Sequence, residues 1–494
     1  MQFWELINRS NFLKDKFKNI EDHFKKIEIN GISNNSKNIK KKFIFFAFTG
    51  NKTNGNLYIN EARRNGATIV ISQEEKGKDV IKLTNKDYFK IYSHLCSSFY
   101  NKKPKNIIAV TGTNGKTSVT DFCRQIWNFY GLKSASIGTL GIRDTSEQHY
   151  HKIRNNLTTL DSSELNKQLS KLYDKQISYV ALEASSHGIN QNRLDGINFN
   201  GAVFTNLSHD HLDYHKNMEN YFSAKMKLFT EHLKDGTCVS INLDDQYGME
   251  LYNKIKTKNF KFVNFGFNEK CELKLIQIKK IEKIWQLEIL YKNKLYKTDI
   301  GLVGHFQIYN ALAAASICLG LGLKQDSIFK SLSYLQTVPG RMQIVNHPLC
   351  KATIIVDYAH TPNALENAIL AVKKMNVSGK IYTLFGCGGE RDHEKRSKMG
   401  EVAFKNSDFT IITDDNPRTE DPSLIRKSII NNNPIAIEIP GRDVAIKKAI
   451  SFLKDDDVLI IAGKGHEQTQ TIGIETLPFD DVSVVKNTLD RLNP

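Results

Sequence analysis

The sequence predicts an α/β protein of three domains: a small N-terminal α/β domain, a central parallel-sheet domain and a C-terminal doubly wound, Rossmann-like domain. Three observations predict it. The 494 residues suffice for roughly three domains of about 150 residues each. Short apolar runs alternate with helical patterns from 106 to about 336 and again from 354 to 461, the rhythm of parallel βαβ units. A Gly-rich turn at 111–118 stands directly between a strand pattern and a helical one.

Taken in order, residues 1–100 carry an apolar strand (43–48), a helical stretch (59–65), a second strand (68–71) and a helix ending near Tyr100. The basic, Pro-containing stretch 101–105 reads as a linker. Strand Ile107–Val110 then opens the central domain, 101–337, with further strands at 179–182, 201–204 and 238–241 and a helix around 220–233. Between 271 and 299 apolar residues alternate with period two, as in antiparallel hairpins, and an Ala-rich helix (310–321) follows. After the turn Val338-Pro339-Gly340-Arg341 the alternation restarts, with strands at 354–356, 381–385, 409–412 and 458–461 forming the domain 338–494.

Composition excludes several classes. With 40% hydrophobic and 25% charged residues the chain is neither disordered nor fibrous. The seven cysteines (96, 123, 238, 271, 318, 350, 387) are odd in number and lack a CxxC, which excludes a disulfide framework and a structural zinc site. No leader-like N-terminus and no apolar run of about 20 residues is present, so a cytoplasmic protein without membrane insertion is expected. The net charge of +16 leaves nucleic acid, a membrane surface or a polyanionic small substrate open. The basic runs Lys40–Lys42 and Lys102–Lys103 are short and lack interleaved aromatics, so no nucleic-acid partner is expected.

The strongest chemical signal is Thr111-Gly112-Thr113-Asn114-Gly115-Lys116-Thr117-Ser118. Glycines let backbone N–H groups approach phosphate oxygens, a helix start favours negative charge, Lys116 supplies a cation and the Thr117 hydroxyl can ligate Mg²⁺. This makes the central domain a P-loop ATPase domain, although Val110 stands where the standard motif has its first Gly. Glu183-Ala184-Ser185-Ser186-His187-Gly188 and Thr205-Asn206-Leu207-Ser208-His209-Asp210-His211-Leu212-Asp213 each follow a strand, so their polar groups belong to the carboxyl edge of a sheet, where ligands bind. Three loops of the last domain share that placement: Gly386–Asp392, Asp415-Asn416-Pro417-Arg418 and Gly463–Glu467.

The run Gly112–Thr117, with the other segments in the same order, resembles the Mur ligases and folylpolyglutamate synthetases, ATP-dependent amide-forming enzymes. The resemblance implies that Gly112, Thr113, Asn114, Gly115, Lys116, Thr117 and Ser118 hold ATP as co-substrate, with Asn310 near the adenine, Arg341 and Asp357 near the ribose and His360 near the phosphates. By itself, Asn310 fits a helix cap equally well. The resemblance implies Mg²⁺ held by Thr117, Glu183, His211 and a carbamylated Lys225, making Lys116, Lys225, His211 and Glu183 catalytic. From the residues alone His209 and His215 compete with His211, Lys227 competes with Lys225, and a lone helix lysine is ordinarily solvated.

For substrates, the resemblance implies UDP-N-acetylmuramoyl-L-alanyl-D-glutamate bound by Ser36, Asn156, Thr158, Thr159, Ser185, Gln191 and Arg193. It implies meso-diaminopimelate bound by Arg391, Asp415, Asn416, Pro417, Arg418, Gly463 and Glu467. The chemistry agrees: diaminopimelate carries a distal carboxylate that a guanidinium can grip bidentately, and lysine has none. Leu160, Lys37 and His209 depart from the family pattern. A monomer is expected; the competing readings are a lysine-adding ligase of the same step, a folylpolyglutamate synthetase and a P-loop NTPase that ligates nothing.

Overall fold

The computed structural model describes residues 1–49, 54–83, 87–147, 149–151, 157–281, 284–346, 351–375, 378–431 and 433–492. Asn156 and Cys350 lie outside the described residues. The chain divides into two compact units, one of residues 1–109, 131–202 and 224–237, the other of 110–130, 203–223 and 238–494.

In the first unit the N-terminal segment forms an all-parallel sheet in the order Gly31–Ser33, Phe43–Ala47, Ala67–Ser72, Val80–Lys82. Its central strand is apolar at every position because both faces are covered. Ile44 and Phe46 join Phe3, Leu6, Leu13 and Leu95 on one side, while Phe45 and Ala47 join Ile59, Ala62 and Val70 on the other. The helices Phe3–Asn8, Asn11–Lys16 and Asp22–Lys25 are too short to show a period in sequence. Their local signals are a Ser10 hydroxyl capping the Leu13 N–H at 3.4 Å and a Glu5 carboxylate accepting from the Gln2 N–H at 3.1 Å. The same unit carries Asn106–Thr111 as far as Ala109, followed across its sheet by Tyr179–Glu183, Ser134–Gly138 and Gly141–Asp144.

In the second unit the order Lys261–Phe262, Cys238–Ile241, Gly201–Phe204 leads to the end of Asn106–Thr111. Helices Lys116–Phe129 and His305–Gly320 pack together. From Ile308 onward nearly every residue of the second is buried, which explains its Ala-rich composition. Strands Leu273–Ile281, Ile284–Tyr291 and Lys294–Ile300 form the antiparallel meander.

The C-terminal sheet runs Gln343–Val345, Thr353–Asp357, Val458–Ala462, Ile381–Phe385, Phe409–Ile412, Ile437–Glu438, parallel except for the first, edge strand. Ile355, Phe385, Ile412 and Ile460 face one core; Ile354, Val356, Leu384, Ile411, Leu459 and Ile461 face the other. The last strand in sequence is inserted between the first two long ones, so Asp357 pairs with Ala462, Leu384 with Ile461, and Phe385 with Ile412. Four strands therefore end side by side, and their following loops open on one edge.

Candidate active site

The phosphate loop is built by a strand that ends at Thr111 and a helix that starts at Lys116, three residues earlier than the apolar pattern indicates. Gly112 has φ 147° and Gly115 φ 87°. A Cβ at Gly112 would collide with the Thr205 hydroxyl, and one at Gly115 with the Asn310 amide oxygen. Only glycine fits either place. The loop is also tied down: the Thr113 N–H donates to Asn206 O and the Asn114 N–H to Asn206 Oδ1, both at 2.9 Å, and Thr205 Oγ1 donates to Asn114 O at 2.6 Å. Lys116 Nζ lies over the loop, donating to Gly112 O (2.9 Å) and Thr113 O (2.8 Å).

Asn310 is not a helix cap. It lies inside His305–Gly320, its Nδ2 donating to Gln307 Oε1 at 2.8 Å and its Oδ1 filling the space a Gly115 side chain would need. Arg341, expected near the ribose, sends Nη2 to Thr117 Oγ1 at 3.0 Å and lies 4.4 Å over the Tyr358 ring. Asp357 is buried and accepts from the Met342 N–H at 2.6 Å; burial pushes its carboxyl up, opposed by Arg341. His360 Nδ1 lies 2.8 Å from Tyr358 O, which can only accept, so Nδ1 carries a proton. Burial, assisted by Lys395, pushes its pKa down.

Asp210 carries no motif signal of its own. Burial alone would raise its carboxyl, but His211, His360, Lys395 and Lys116 around it outweigh that and hold it at about 2. The three competing histidines are separated by their surroundings. His215 is buried and stacked 5.0 Å from Tyr221; His209 Nε2 pairs with Asp392 at 3.3 Å; His211, at φ 54°, sets Nε2 3.4 Å from Asp210 with its ring partly exposed.

At the C-terminal edge, Arg418 and Arg391 both come close to Gly388: a Cβ there would be 3.0 Å from Arg418 Nη1 and 3.7 Å from Arg391 Cγ. Arg418 is held by Nη1 to Gly389 O (2.6 Å) and by its backbone, which bonds Thr471 O and the Gly473 N–H. The Arg391 side chain is exposed. Asp415 lies against Gly463, which takes φ 108°. Asn416, next to Pro417, sends Nδ2 to Glu467 Oε2 at 2.9 Å.

In the first unit, Thr159 centres a second polar cluster. Its hydroxyl bonds Glu183 O (2.9 Å), Ser185 Oγ (3.0 Å) and the Ser185 N–H (2.8 Å), and its carbonyl accepts from Arg193 Nη1 (2.7 Å). Arg193 also holds Gln191 Oε1 at 2.5 Å. The buried Glu183 accepts from the Thr139 N–H (2.9 Å) and Oγ1 (3.0 Å), and Thr139 Oγ1, its proton given to Glu183, lies 3.2 Å from Thr158 Oγ1 and can accept from that hydroxyl. Ser36 stands apart, its hydroxyl donated to Glu61 Oε2 at 2.7 Å. Lys225 is 1% exposed, which excludes the solvated helix lysine; the Nζ of Lys227, its competitor, bonds the Asn190 side chain at 3.2 Å.

Among the described residues no three His, Cys, Asp or Glu side chains gather as a metal-binding group. The donor types suit Mg²⁺: within the second unit Thr117 Oγ1 accepts from Arg341, within the first each Glu183 oxygen accepts from Thr139, and hydroxyl and carboxylate oxygens are the donors a hard cation prefers.

Residues 110–318 match the Mur ligase middle domain, 340–465 the Mur ligase glutamate ligase domain, and 28–103 the Mur ligase family catalytic domain. A UDP-N-acetylmuramoyl-L-alanyl-D-glutamate--2,6-diaminopimelate ligase of Rickettsia typhi is 40% identical over 475 residues, 95% of each chain. The chain belongs to the Mur ligase family. A ligase of the same name from Agrobacterium fabrum is 40% identical over 94% of each chain. A solved structure of that name aligns with TM-score 0.65 and 30% identity over 94% of this chain and 96% of its own. The ADP complex of a MurF ligase from Thermotoga maritima shares the fold, with TM-score 0.65 and 18% identity over 94% and 97%. The protein thus has the three-domain Mur ligase fold and is an ATP-dependent ligase of peptidoglycan synthesis.

Proposed function

We propose that this Mur ligase joins meso-diaminopimelate to UDP-N-acetylmuramoyl-L-alanyl-D-glutamate, converting ATP to ADP and phosphate. The observation that carries the substrate choice is that Arg391 and Arg418 both come close to Gly388, with Glu467 on a loop of the same sheet edge. Two guanidinium groups and a carboxylate suit an amino acid with an extra carboxylate and an ammonium group. The 40% identity to relatives named for this reaction supports the same reading.

In the reaction, an oxygen of the D-glutamate carboxylate attacks the γ-phosphorus and the bond to ADP breaks, leaving an acyl phosphate. The diaminopimelate amine then attacks the acyl carbon, loses a proton and expels phosphate. Gly112–Ser118 cradle the phosphates, and Lys116 neutralises the charge that builds there. Mg²⁺, when bound, supplies further charge neutralisation; Thr117, Glu183, His211 and a carbamylated Lys225 are the residues proposed to hold it. Carbamylation would turn a fully buried ammonium into an oxygen ligand.

The proposal also assigns residues 1–100 to the UDP-sugar with Ser36, 101–337 to ATP, and 338–494 to the amino acid. Thr158, Thr159, Ser185, Gln191 and Arg193 are proposed to hold the dipeptide, in a monomeric, cytoplasmic enzyme. No helix among the described residues is long and apolar enough to cross a membrane.

The test is phosphate release from ATP with the UDP-dipeptide plus meso-diaminopimelate, L-lysine or no amino acid, with the product weighed. Release and a tripeptide product only with diaminopimelate is expected. Equal use of lysine refutes the arginine argument; release without the UDP-dipeptide refutes amide formation.

A further inference from the structure

The loop Gly463–Glu467 contains a cation that the substrate reading leaves without a task. The Lys464 side chain is 0% exposed, although it sits on a loop at the ligand edge of the sheet. Its inward direction is built in: Gly463 and Gly465 on either side take φ 108° and 54°, and a side chain on Gly465 would collide with Tyr358 and the Gly340 carbonyl. A buried lysine must be paired to be tolerated. Lys464 Nζ meets Glu467 Oε2 at 2.9 Å and Asn416 Oδ1 at 3.2 Å.

Asn416 closes the arrangement. Its Oδ1 accepts from Lys464 and from the Thr471 N–H (2.9 Å), and its Nδ2 donates to the same Glu467 oxygen at 2.9 Å. Glu467 Oε2 therefore receives two hydrogen bonds, one of them charge-assisted. Oε1 has no hydrogen-bond partner among the described residues, and the Glu467 side chain is 31% exposed. One oxygen is fixed by the protein and the other is left for a donor from outside.

We propose that Lys464, with Asn416, is a positioning residue that aims the open oxygen of Glu467 at the ammonium group of the incoming amino acid. The proposal rests on the reading that Glu467 receives that ammonium. It gives Asn416 a further part beside the expected substrate contact: one Nδ2 hydrogen is committed to Glu467. Pre-orienting the carboxylate removes the rotamer cost that binding would otherwise carry.

The test is steady-state kinetics of the full chain carrying K464M, E467Q or both, varying diaminopimelate, ATP and the UDP-dipeptide in turn, alongside thermal melting. Expected for K464M is a KM for diaminopimelate raised about 10- to 100-fold, the loss of one charge-assisted hydrogen bond, with the KM for ATP unchanged. The double variant is expected to have the KM of E467Q alone, because Lys464 acts only through Glu467. A wild-type amino-acid KM in K464M, or losses that multiply in the double variant, overturns the proposal. An E467Q variant with wild-type KM overturns the reading of Glu467 itself, which is a separate result. If K464M does not fold, N416A carries the test: the same selective rise in KM is expected, and an unchanged KM overturns the proposal.

Discussion

The proposed phosphate loop and the proposed amino-acid side of the site are built in opposite ways. Gly112–Ser118 is one contiguous segment whose shape follows from its own glycines and from a strand and helix on either side. The amino-acid side draws Arg391, Arg418, Lys464 and Glu467 from three loops that meet only because the strand Val458–Ala462 is inserted between Thr353–Asp357 and Ile381–Phe385. The first is a local object that substitution can disable residue by residue. The second is a product of strand order, and its charges support one another across loops.

Four substitutions sharpen that contrast, from the largest expected effect to the smallest. K116A removes the one cation the loop itself contributes, so kcat should fall by about 10³-fold or more, at unchanged melting temperature; turnover near wild type refutes the loop's assignment. R418A removes the guanidinium group that lies at Gly388, so the KM for diaminopimelate should rise about 100-fold while that for ATP stays constant. A parallel rise in both would show that the loops do not act separately.

G115A forces a side chain into φ 87° and against Asn310, so it should cost about 1–3 kcal/mol of stability and weaken ATP binding. Melting temperature and ATP titration read the two effects apart. The smallest effect concerns Asp245, which caps the helix Gln246–Ile255 and whose carboxyl burial pushes up to about 6. From the unfolded value near 3.8 to about 6 the folded state holds the extra proton, so stability falls as pH rises through that window. D245N keeps a capping oxygen without the charge, and should gain up to about 2 kcal/mol at pH 7 and nothing at pH 3, measured by denaturant unfolding at both.

Strands buried on both faces were the easiest to read. Ile107–Val110, Ile354–Val356 and Val458–Ile461 are short β-branched runs between turns, and each appears within a residue or two of the expected place. Elements below one or two turns were not legible: the helices before residue 26 and the hairpin Thr469–Ile472 with Glu475–Pro478 carry no usable period. In the candidate site, residues marked by a local pattern were visible, from Lys116 to Arg418. Asp210 was not legible as a functional residue, because its significance lies in Lys116, His360 and Lys395, which reach it from other segments. Lys464 was missed for the same reason: lysine is ordinarily a surface residue, and nothing in Gly463-Lys464-Gly465 says that it turns inward.

The sequence by itself determined the α/β class, the phosphate loop and the family, since periodicity, glycine placement and motif order are properties of neighbouring residues. Tertiary structure alone decided that Asn310 fills the space at Gly115 instead of capping a helix, that His211 and not His215 stands beside Asp210, and that Lys464 and Asn416 hold one oxygen of Glu467. The physical reason is that burial and charge pairing depend on which distant segments the strand order brings together, and no local pattern records that order.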